Sequence, residues 1–155
     1  MYCLYLDFFL NGQCLDITID DVCYNCNEQY MMFKKAQLFK DEEHMNLIMK
    51  SSDPKDIKQY GREVKNFDPQ IWESVCRDFV FRANFAKFTQ HEELNKFITG
   101  EDIRNKIFVE AAWYDTIWGI GLKETDPLAW DKSTWQGKNW LGYAITDVRD
   151  GIIKD

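Results

Sequence analysis

Glu28 and Lys35 are an acid and a base seven residues apart, in a stretch (25–39) that also contains a plausible helix start. At 3.6 residues per turn, a helix returns both side chains to nearly the same face, about 10 Å apart along its axis. Two long side chains at that spacing could reach one pocket. The alternative is an ordinary solvated face of opposite charges, which spacing alone favours.

The elements around this pair are predicted from local signals. A helix is predicted over 28–39, with Asn27 as a suitable N-cap. Before it, residues 14–19 alternate between apolar and polar types, and a turn at 20–21 leads into the short apolar stretch 22–24. This pattern predicts an antiparallel pair of strands that leads into the helix.

Further helix starts are marked along the middle of the chain. Asp53 and Asp68 are each followed by proline, and an aspartate N-cap before a proline is a strong helix start. A short helix is also predicted over 42–50. Residues 89–92 fit a capping box, and the helix that they open would stop at Gly100.

The pattern changes after this point. Residues 106–112 are typical of a strand, and the glycines within 113–121 indicate a loop in which backbone approaches something closely. A polar loop over 126–138 precedes a last helix over 139–154. We therefore predict an α+β, mostly helical single domain over residues 1–155, with its helices packed around a small antiparallel sheet.

Composition restricts the function further. The formal charge of −7 argues against a strong non-specific grip on a nucleic-acid backbone, although a local basic pocket remains compatible with it. The 15% aromatic content supplies both core and stacking surfaces. No leader or membrane-length apolar run is visible in the sequence, so we expect a cytoplasmic protein with no membrane partner.

The cysteines and histidines do not indicate a metal. Cys23 and Cys26 form a lone C-x-x-C, whereas a structural zinc needs a second pair of ligands. The two histidines, His44 and His91, lie far away in sequence. We expect reduced thiols, no metal site and no cofactor.

An ordered set of short motifs runs along nearly the whole chain, from about Phe9 to Arg149. It comprises Asn27-Glu28-Gln29-Tyr30, Lys35-Ala36, Gly61-Arg62, Trp72, Lys87-Phe88 with Gln90-His91 and Leu94, Glu110, Asp115, Trp118-Gly119-x-Gly121, and Gly137-x-Asn139-x-Leu141-Gly142 with Arg149. With these motifs the sequence resembles the NADAR superfamily, whose best-known branch is the riboflavin-intermediate N-glycosidases. Two positions depart from the family pattern: residues 9–12 lack its serine and following aromatic, and Trp140 replaces an arginine or a small apolar residue.

The resemblance implies cleavage of the bond between a phosphorylated ribose and a nitrogen of a base. It places Lys35 at the lysine that attacks the anomeric carbon and forms a Schiff base with the opened ribose. Glu28 would align the ribose or shuttle its protons, and Asp115 would assist at the sugar or the base. Such a reaction needs a carboxylate at the sugar and a donor at the leaving base, and Glu110 is a third candidate carboxylate. A nucleophilic lysine must lose its proton, which burial or a neighbouring cation such as Lys34 would favour.

The remaining predicted site residues bind substrate. They are Trp72 and Trp118 for stacking or shaping the pocket, Arg62 for the phosphates, and Glu110, Gly119 and Asn139 from the family pattern. From the residues alone, the position of Trp72 on an apolar helix face favours a place in the core, and Arg62 could equally form a surface ion pair.

Two classes of function follow from the resemblance: an active glycosidase, or a binding module that holds ADP-ribose or a nucleotide without turnover. The joint presence of Glu28, Lys35 and Asp115 favours the enzyme. The preferred substrate is ADP-ribose on guanine in ADP-ribosylated, single-stranded DNA, with contact to only a few nucleotides. The alternative substrate is a phosphorylated ribosylaminopyrimidine intermediate of riboflavin synthesis.

Overall fold

Over the described residues, 3–5 and 15–154, the computed structural model contains six α-helices and four three-residue strands. In chain order these are β1 (Cys3–Tyr5), β2 (Ile17–Ile19), β3 (Val22–Tyr24), α1 (Asn27–Leu38), α2 (Glu42–Lys50), α3 (Pro54–Glu63), α4 (Pro69–Gln90), α5 (Glu92–Ile98), β4 (Ile107–Val109) and α6 (Trp140–Lys154). The predicted α+β, mostly helical class with a small antiparallel sheet is confirmed. The described residues fall into two units, 15–87 and 3–5 with 88–154.

The first unit begins with the predicted hairpin. Strands β2 and β3 pair antiparallel, with Ile17 opposite Tyr24. The turn between them passes through Asp20 and Asp21, which both adopt positive φ, a conformation that aspartate tolerates better than most side chains. The buried face of the hairpin packs with Tyr30 of α1 and with Ala83 and Ala86 of α4, which fixes the start of α1.

Helices α1, α2 and α3 pack against one another around a second apolar cluster. Its buried members are Cys26, Ala36, Ile48, Ile57 and Val64. The predicted start of α3 is confirmed, because the Asp53 carboxylate accepts a hydrogen bond from the Lys55 backbone N–H at 2.8 Å. The start of α4 is confirmed in the same way by Asp68, which accepts from the backbone N–H of Gln70.

In the second unit, β1 and β4 form a parallel pair with Leu4 opposite Phe108. This pair was not predicted, because a parallel partner about a hundred residues away leaves no local turn signal. Helix α6 packs on β4. The segment that follows β4 is joined to the start of α6 by backbone hydrogen bonds, among them Asn139 N–H to Gly119 O at 3.0 Å and Leu141 N–H to Trp118 O at 3.1 Å.

Several local predictions are corrected. Asn27 is the first residue of α1 rather than its N-cap; Cys26 occupies the cap position without a side-chain hydrogen bond. Residues 89 and 90 continue α4, so α5 begins after His91 and the capping box does not form. Strand β4 covers three of the residues 106–112, because Glu110 already turns into the loop. The departure from the family pattern at 9–12 lies outside the described residues.

Candidate active site

The Lys35 ammonium lies half-buried in the last turn of α1. Its Nζ donates a hydrogen bond to the Gly61 carbonyl oxygen at 2.6 Å and lies 4.1 Å from the centre of the Phe67 ring. Burial lowers the pKa of Lys35, because an amine that is removed from water favours its neutral form. The carbonyl and the ring act in the opposite direction, since both favour the cation. The arrangement fixes the position of the amine while making its proton easier to lose.

Gly61 permits this arrangement because it has no side chain. It is buried in α3 where that helix crosses α1, and a Cβ atom there would overlap the Met32 side chain. Helix α3 therefore approaches α1 closely enough for the Gly61 carbonyl to reach Lys35. Met32 belongs to the same apolar cluster, which makes the contact between the two helices part of the core.

Glu28 lies in the first turn of the same helix, at the other end of the predicted face. Burial raises the pKa of Glu28, and the positive charges of Lys58 and Arg62 oppose part of this rise. The continuous helix α1 confirms that Glu28 and Lys35 share one face. Arg62, predicted to bind phosphate, is exposed on α3 and its charge acts on Glu28.

The two residues on either side of Glu28 anchor the start of α1. The buried Gln29 amide donates to the Ile48 carbonyl at 3.0 Å and to the Ser51 carbonyl at 3.1 Å, which joins α1 to the end of α2. The Asn27 amide donates to Asn84 Oδ1 at 3.0 Å. Gln29 and Asn27 therefore hold the helix end that presents Glu28.

Trp72 lies on α4 and stacks on Phe79, with ring centres 6.0 Å apart. Phe79 in turn contacts Tyr30 edge-on, with ring centres 6.3 Å apart. Trp72 is only partly buried, so it is connected to α1 through one aromatic neighbour and also keeps surface open to a ligand. Its role in substrate binding stays a prediction.

In the second unit, Asp115 builds the loop that carries Trp118. Its Oδ1 accepts from the backbone N–H of Ile117 at 2.9 Å and from that of Trp118 at 2.8 Å. Trp118 is partly buried and meets Trp140 edge-on, with ring centres 5.7 Å apart. This oxygen of Asp115 is therefore engaged in the turn, and its second oxygen is the one that could act on a ligand.

Asn139 is fully buried, and its side chain forms hydrogen bonds with the backbone in β4 and directly after it. Its Oδ1 accepts from the Glu110 N–H at 3.0 Å, and its Nδ2 donates to the Phe108 carbonyl at 3.0 Å. Gly119 is buried where a Cβ atom would stand 2.9 Å from both the Asp115 and the Glu110 carbonyl oxygens. Asn139 therefore fixes the backbone of Phe108 and Glu110, and Gly119 allows the Asp115 and Glu110 carbonyls to lie close to it. Direct substrate contact by either residue stays a prediction.

The predicted site residues divide between the two units. The first contains Glu28, Lys35, Arg62 and Trp72, and the second contains Glu110, Asp115, Trp118, Gly119 and Asn139. Sequence reasoning missed Lys58 and Phe67. The spacing of four residues between Lys58 and Arg62 on α3 was a usable signal for the first, whereas no local pattern indicated that Phe67 would lie over Lys35. The predicted cation effect of Lys34 is wrong: the pKa shift of Lys35 comes from burial, and Lys34 Nζ donates to Gln37 Oε1 at 3.0 Å.

With this geometry in place, comparison with known proteins gives a clear relationship. A family model described as NADAR domain matches residues 3–153. The chain belongs to the NADAR family. N-glycosidase R617 of Acanthamoeba polyphaga mimivirus is 41% identical over 127 residues, which is 82% of this chain and 74% of that protein. Protein irg-1 of Caenorhabditis elegans is 34% identical over 131 residues, and the match spans 83% of this chain but only 61% of that protein.

A bacterial member of the NADAR family matches in both sequence and structure. N-glycosidase YbiA of Escherichia coli K12 is 29% identical over 144 residues, which is 93% of this chain and 80% of YbiA. The NMR structure of E. coli YbiA superposes with a TM-score of 0.73 at 25% identity, covering 98% of this chain and 85% of that chain. The α+β architecture is therefore the NADAR fold.

Two other features are absent from the described part of the chain. No group of three or more His, Cys, Asp or Glu side chains there is arranged to hold a metal ion. No helix within 15–154 has the length and apolar character that crossing a membrane requires.

Proposed function

We propose that this chain, as one NADAR-like domain over residues 1–155, hydrolyses the N-glycosyl bond between a phosphorylated ribose and a nucleobase nitrogen. Its class, a hydrolase of N-glycosyl bonds, is supported by the family match and by the relatives named N-glycosidases. We propose further that its substrate is ADP-ribose on guanine in DNA. The observation that carries the chemistry is the half-buried pair on α1, a lysine whose pKa is lowered and a glutamate whose pKa is raised.

The two pKa shifts match the two roles that the reaction requires. The neutral Lys35 amine attacks the anomeric carbon, and the bond to the base breaks with its electron pair moving to the base nitrogen. Glu28, which burial keeps protonated to higher pH than an ordinary carboxyl, supplies the proton that this nitrogen takes up. The base leaves in its neutral form, and the Lys35 nitrogen, now positively charged, holds the ribose as a protonated glycosylamine.

The second half of the reaction returns the enzyme to its starting state. The Glu28 carboxylate takes the extra proton from the Lys35 nitrogen and passes it to the ring oxygen, so the ring opens and a protonated imine forms. Water adds to the imine carbon and gives one proton to the Glu28 carboxylate, which restores the protonated carboxyl. The lysine then leaves as the free amine, its nitrogen taking the proton of the added hydroxyl, and the ring oxygen closes on the resulting aldehyde. The sum is base plus ribose with a hydroxyl at the anomeric carbon, and one water is consumed.

Charge on α3 supports a phosphorylated substrate. Lys58 and Arg62 are exposed cations whose charges reach Glu28, and Arg62 can grip a phosphate with two parallel hydrogen bonds. A bound phosphate would neutralise the two charges that oppose the rise in the pKa of Glu28. Phosphate binding would therefore help Glu28 to keep its proton. A net charge of −7 fits contact with a few phosphates rather than with a long duplex.

The predicted roles of the second unit are kept as proposals. Asp115 would assist at the sugar or the base, and Trp118, like Trp72, would stack on the base or shape its pocket. Glu110 and Gly119 are proposed as substrate contacts. For Asn139 we propose a positioning role, because its amide is bonded to the β4 backbone.

Reduction by borohydride during turnover tests the lysine step. The protein is incubated with single-stranded DNA carrying ADP-ribosylated guanine or, separately, with a ribosylaminopyrimidine phosphate. Mass spectrometry should find a reduced sugar adduct on the peptide that contains Lys35. The DNA substrate should be turned over faster than the ribosylaminopyrimidine phosphate. Lys35→Ala should lose both turnover and adduct, whereas the matched control Lys34→Ala should keep both. Full turnover by Lys35→Ala, or an adduct on another residue, would show that the Schiff-base step is wrong.

A further inference from the structure

The segment just before Asp115 exposes aromatic surface that the proposed reaction does not use. Trp113 is 61% exposed and Tyr114 is 76% exposed, and their rings meet edge-on with centres 5.8 Å apart. Burying such rings is favourable, so their exposure next to a site residue indicates a binding surface.

These two rings line a cleft of about 430 Å³ in the second unit, a size that suits a small ligand. The other side chains of its wall belong to Ala111, Ala112, Lys123, Glu124 and Thr125. Lys123 Nζ lies 5.6 Å from the centre of the Trp113 ring. The wall therefore combines an aromatic face, one cation and groups that can form hydrogen bonds.

We infer that this cleft binds an unmodified nucleotide of the same single strand, next to the guanine that carries ADP-ribose. The inference rests on the proposed function and extends it from a base to a strand. The base would stack on Trp113, beside Tyr114, and its phosphate would face Lys123.

The charges of the wall favour this ligand over other anions. Glu124 lines the cleft beside Lys123, so a free phosphate or a polyanionic track would meet repulsion as well as attraction. A nucleotide brings a neutral aromatic ring together with one phosphate, and the carboxylate of Glu124 can accept from an exocyclic amino group of the base. Stacking tolerates every base, so the cleft would add affinity for a strand without demanding a sequence.

The first experiment measures binding without catalysis. Fluorescence anisotropy follows an unmodified, labelled single-stranded DNA oligonucleotide as the full-length chain is added. Trp113→Ala should weaken binding about tenfold, the effect expected for one stacked base, and Trp113→Phe should restore most of it. Lys123→Gln should lower the slope of log affinity against log salt by about 0.7. The control Trp130→Ala removes another exposed tryptophan, one that does not line the cleft, and should change nothing.

The second experiment locates the ligand by turnover. The kcat/KM of Trp113→Ala should fall about tenfold on ADP-ribosylated guanine within an oligonucleotide and should match wild type on the same modification in a mononucleotide. An equal loss on both substrates would overturn the inference, because the cleft would then hold the ADP-ribose or the guanine itself. Absence of oligonucleotide binding by the wild type, or unchanged binding by Trp113→Ala, would also overturn it. If neither substrate is turned over, the proposed function fails, while the anisotropy arm still decides the cleft.

Discussion

Replacing Asn139 by alanine tests whether this residue positions the loop after β4. In the folded chain its buried amide pairs with one N–H, that of Glu110, and one carbonyl, that of Phe108, each at 3.0 Å. Alanine leaves both backbone groups without this partner inside the second unit. An unsatisfied buried polar group costs about 1 to 3 kcal/mol, so the two together should lower the free energy of unfolding by at least about 2 kcal/mol.

The backbone at Asn139 adds a second effect that has to be subtracted. Its φ is +53°, and an alanine in this left-handed region costs about 1 kcal/mol more than in an ordinary conformation. Asn66 provides the matched control, because it has a φ of +55° and an exposed side chain. Asn66→Ala should therefore show the conformational cost alone.

Urea unfolding followed by tryptophan fluorescence measures both variants against the wild type. We expect Asn139→Ala to lose at least about 2 kcal/mol more than Asn66→Ala, out of a typical stability of about 5 to 15 kcal/mol. Under mild conditions, where the variant is still folded, kcat should fall more than KM rises, because a displaced loop loses alignment rather than a substrate contact. Equal destabilisation by the two substitutions, or a rise in KM alone, would refute the positioning role.

Two further predictions concern carboxyls whose pKa values are shifted in the folded chain. Burial raises the pKa of Glu28, so the contribution of this carboxyl to stability is present below its unfolded pKa and is lost as pH rises through its folded pKa. Glu28→Gln should therefore unfold at a higher urea concentration than wild type at neutral pH and at the same concentration in acid. The exposed control Glu93→Gln should match wild type at both pH values. Burial acts to raise the pKa of Asp41, but hydrogen bonds from Lys65 and His44 outweigh it and hold that pKa below its usual range. The contribution of Asp41 to stability is therefore present at neutral pH and is lost as pH falls. Asp41→Asn should cost about 1 to 3 kcal/mol at neutral pH and progressively less in acid.

The outcomes that contradict these two predictions are direct. If Glu28→Gln is less stable than wild type at neutral pH, burial of the charged Glu28 carboxylate does not destabilise the folded state. If the effect of Asp41→Asn is the same at neutral and acid pH, the charge of Asp41 does not contribute. Asp53→Asn is a control for the latter, since asparagine caps a helix as well as aspartate does and should leave stability nearly unchanged.

Much of the helical framework was predictable because its signals are local. The aspartates before Pro54 and Pro69 begin helices, since a capping carboxylate and a proline act on the backbone within a few residues. The local signals failed at two other helix starts, those of α5 and α1. At 89–92 helix α4 continues through Gln90, and the predicted capping box does not form. Asn27 likewise entered α1, because its amide bonds to Asn84 rather than to the helix end.

The sequence by itself determined that Glu28 and Lys35 share one face of one helix, because helical periodicity depends only on spacing along the chain. Family resemblance then supplied their roles. Only the tertiary structure decided the surroundings that change their chemistry. Lys35 meets the carbonyl of Gly61, 26 residues away, and burial lowers its pKa, while Lys58 and Arg62 approach Glu28 from α3. These effects depend on distance in space and on removal from water, and neither is written in the spacing of residues along a chain.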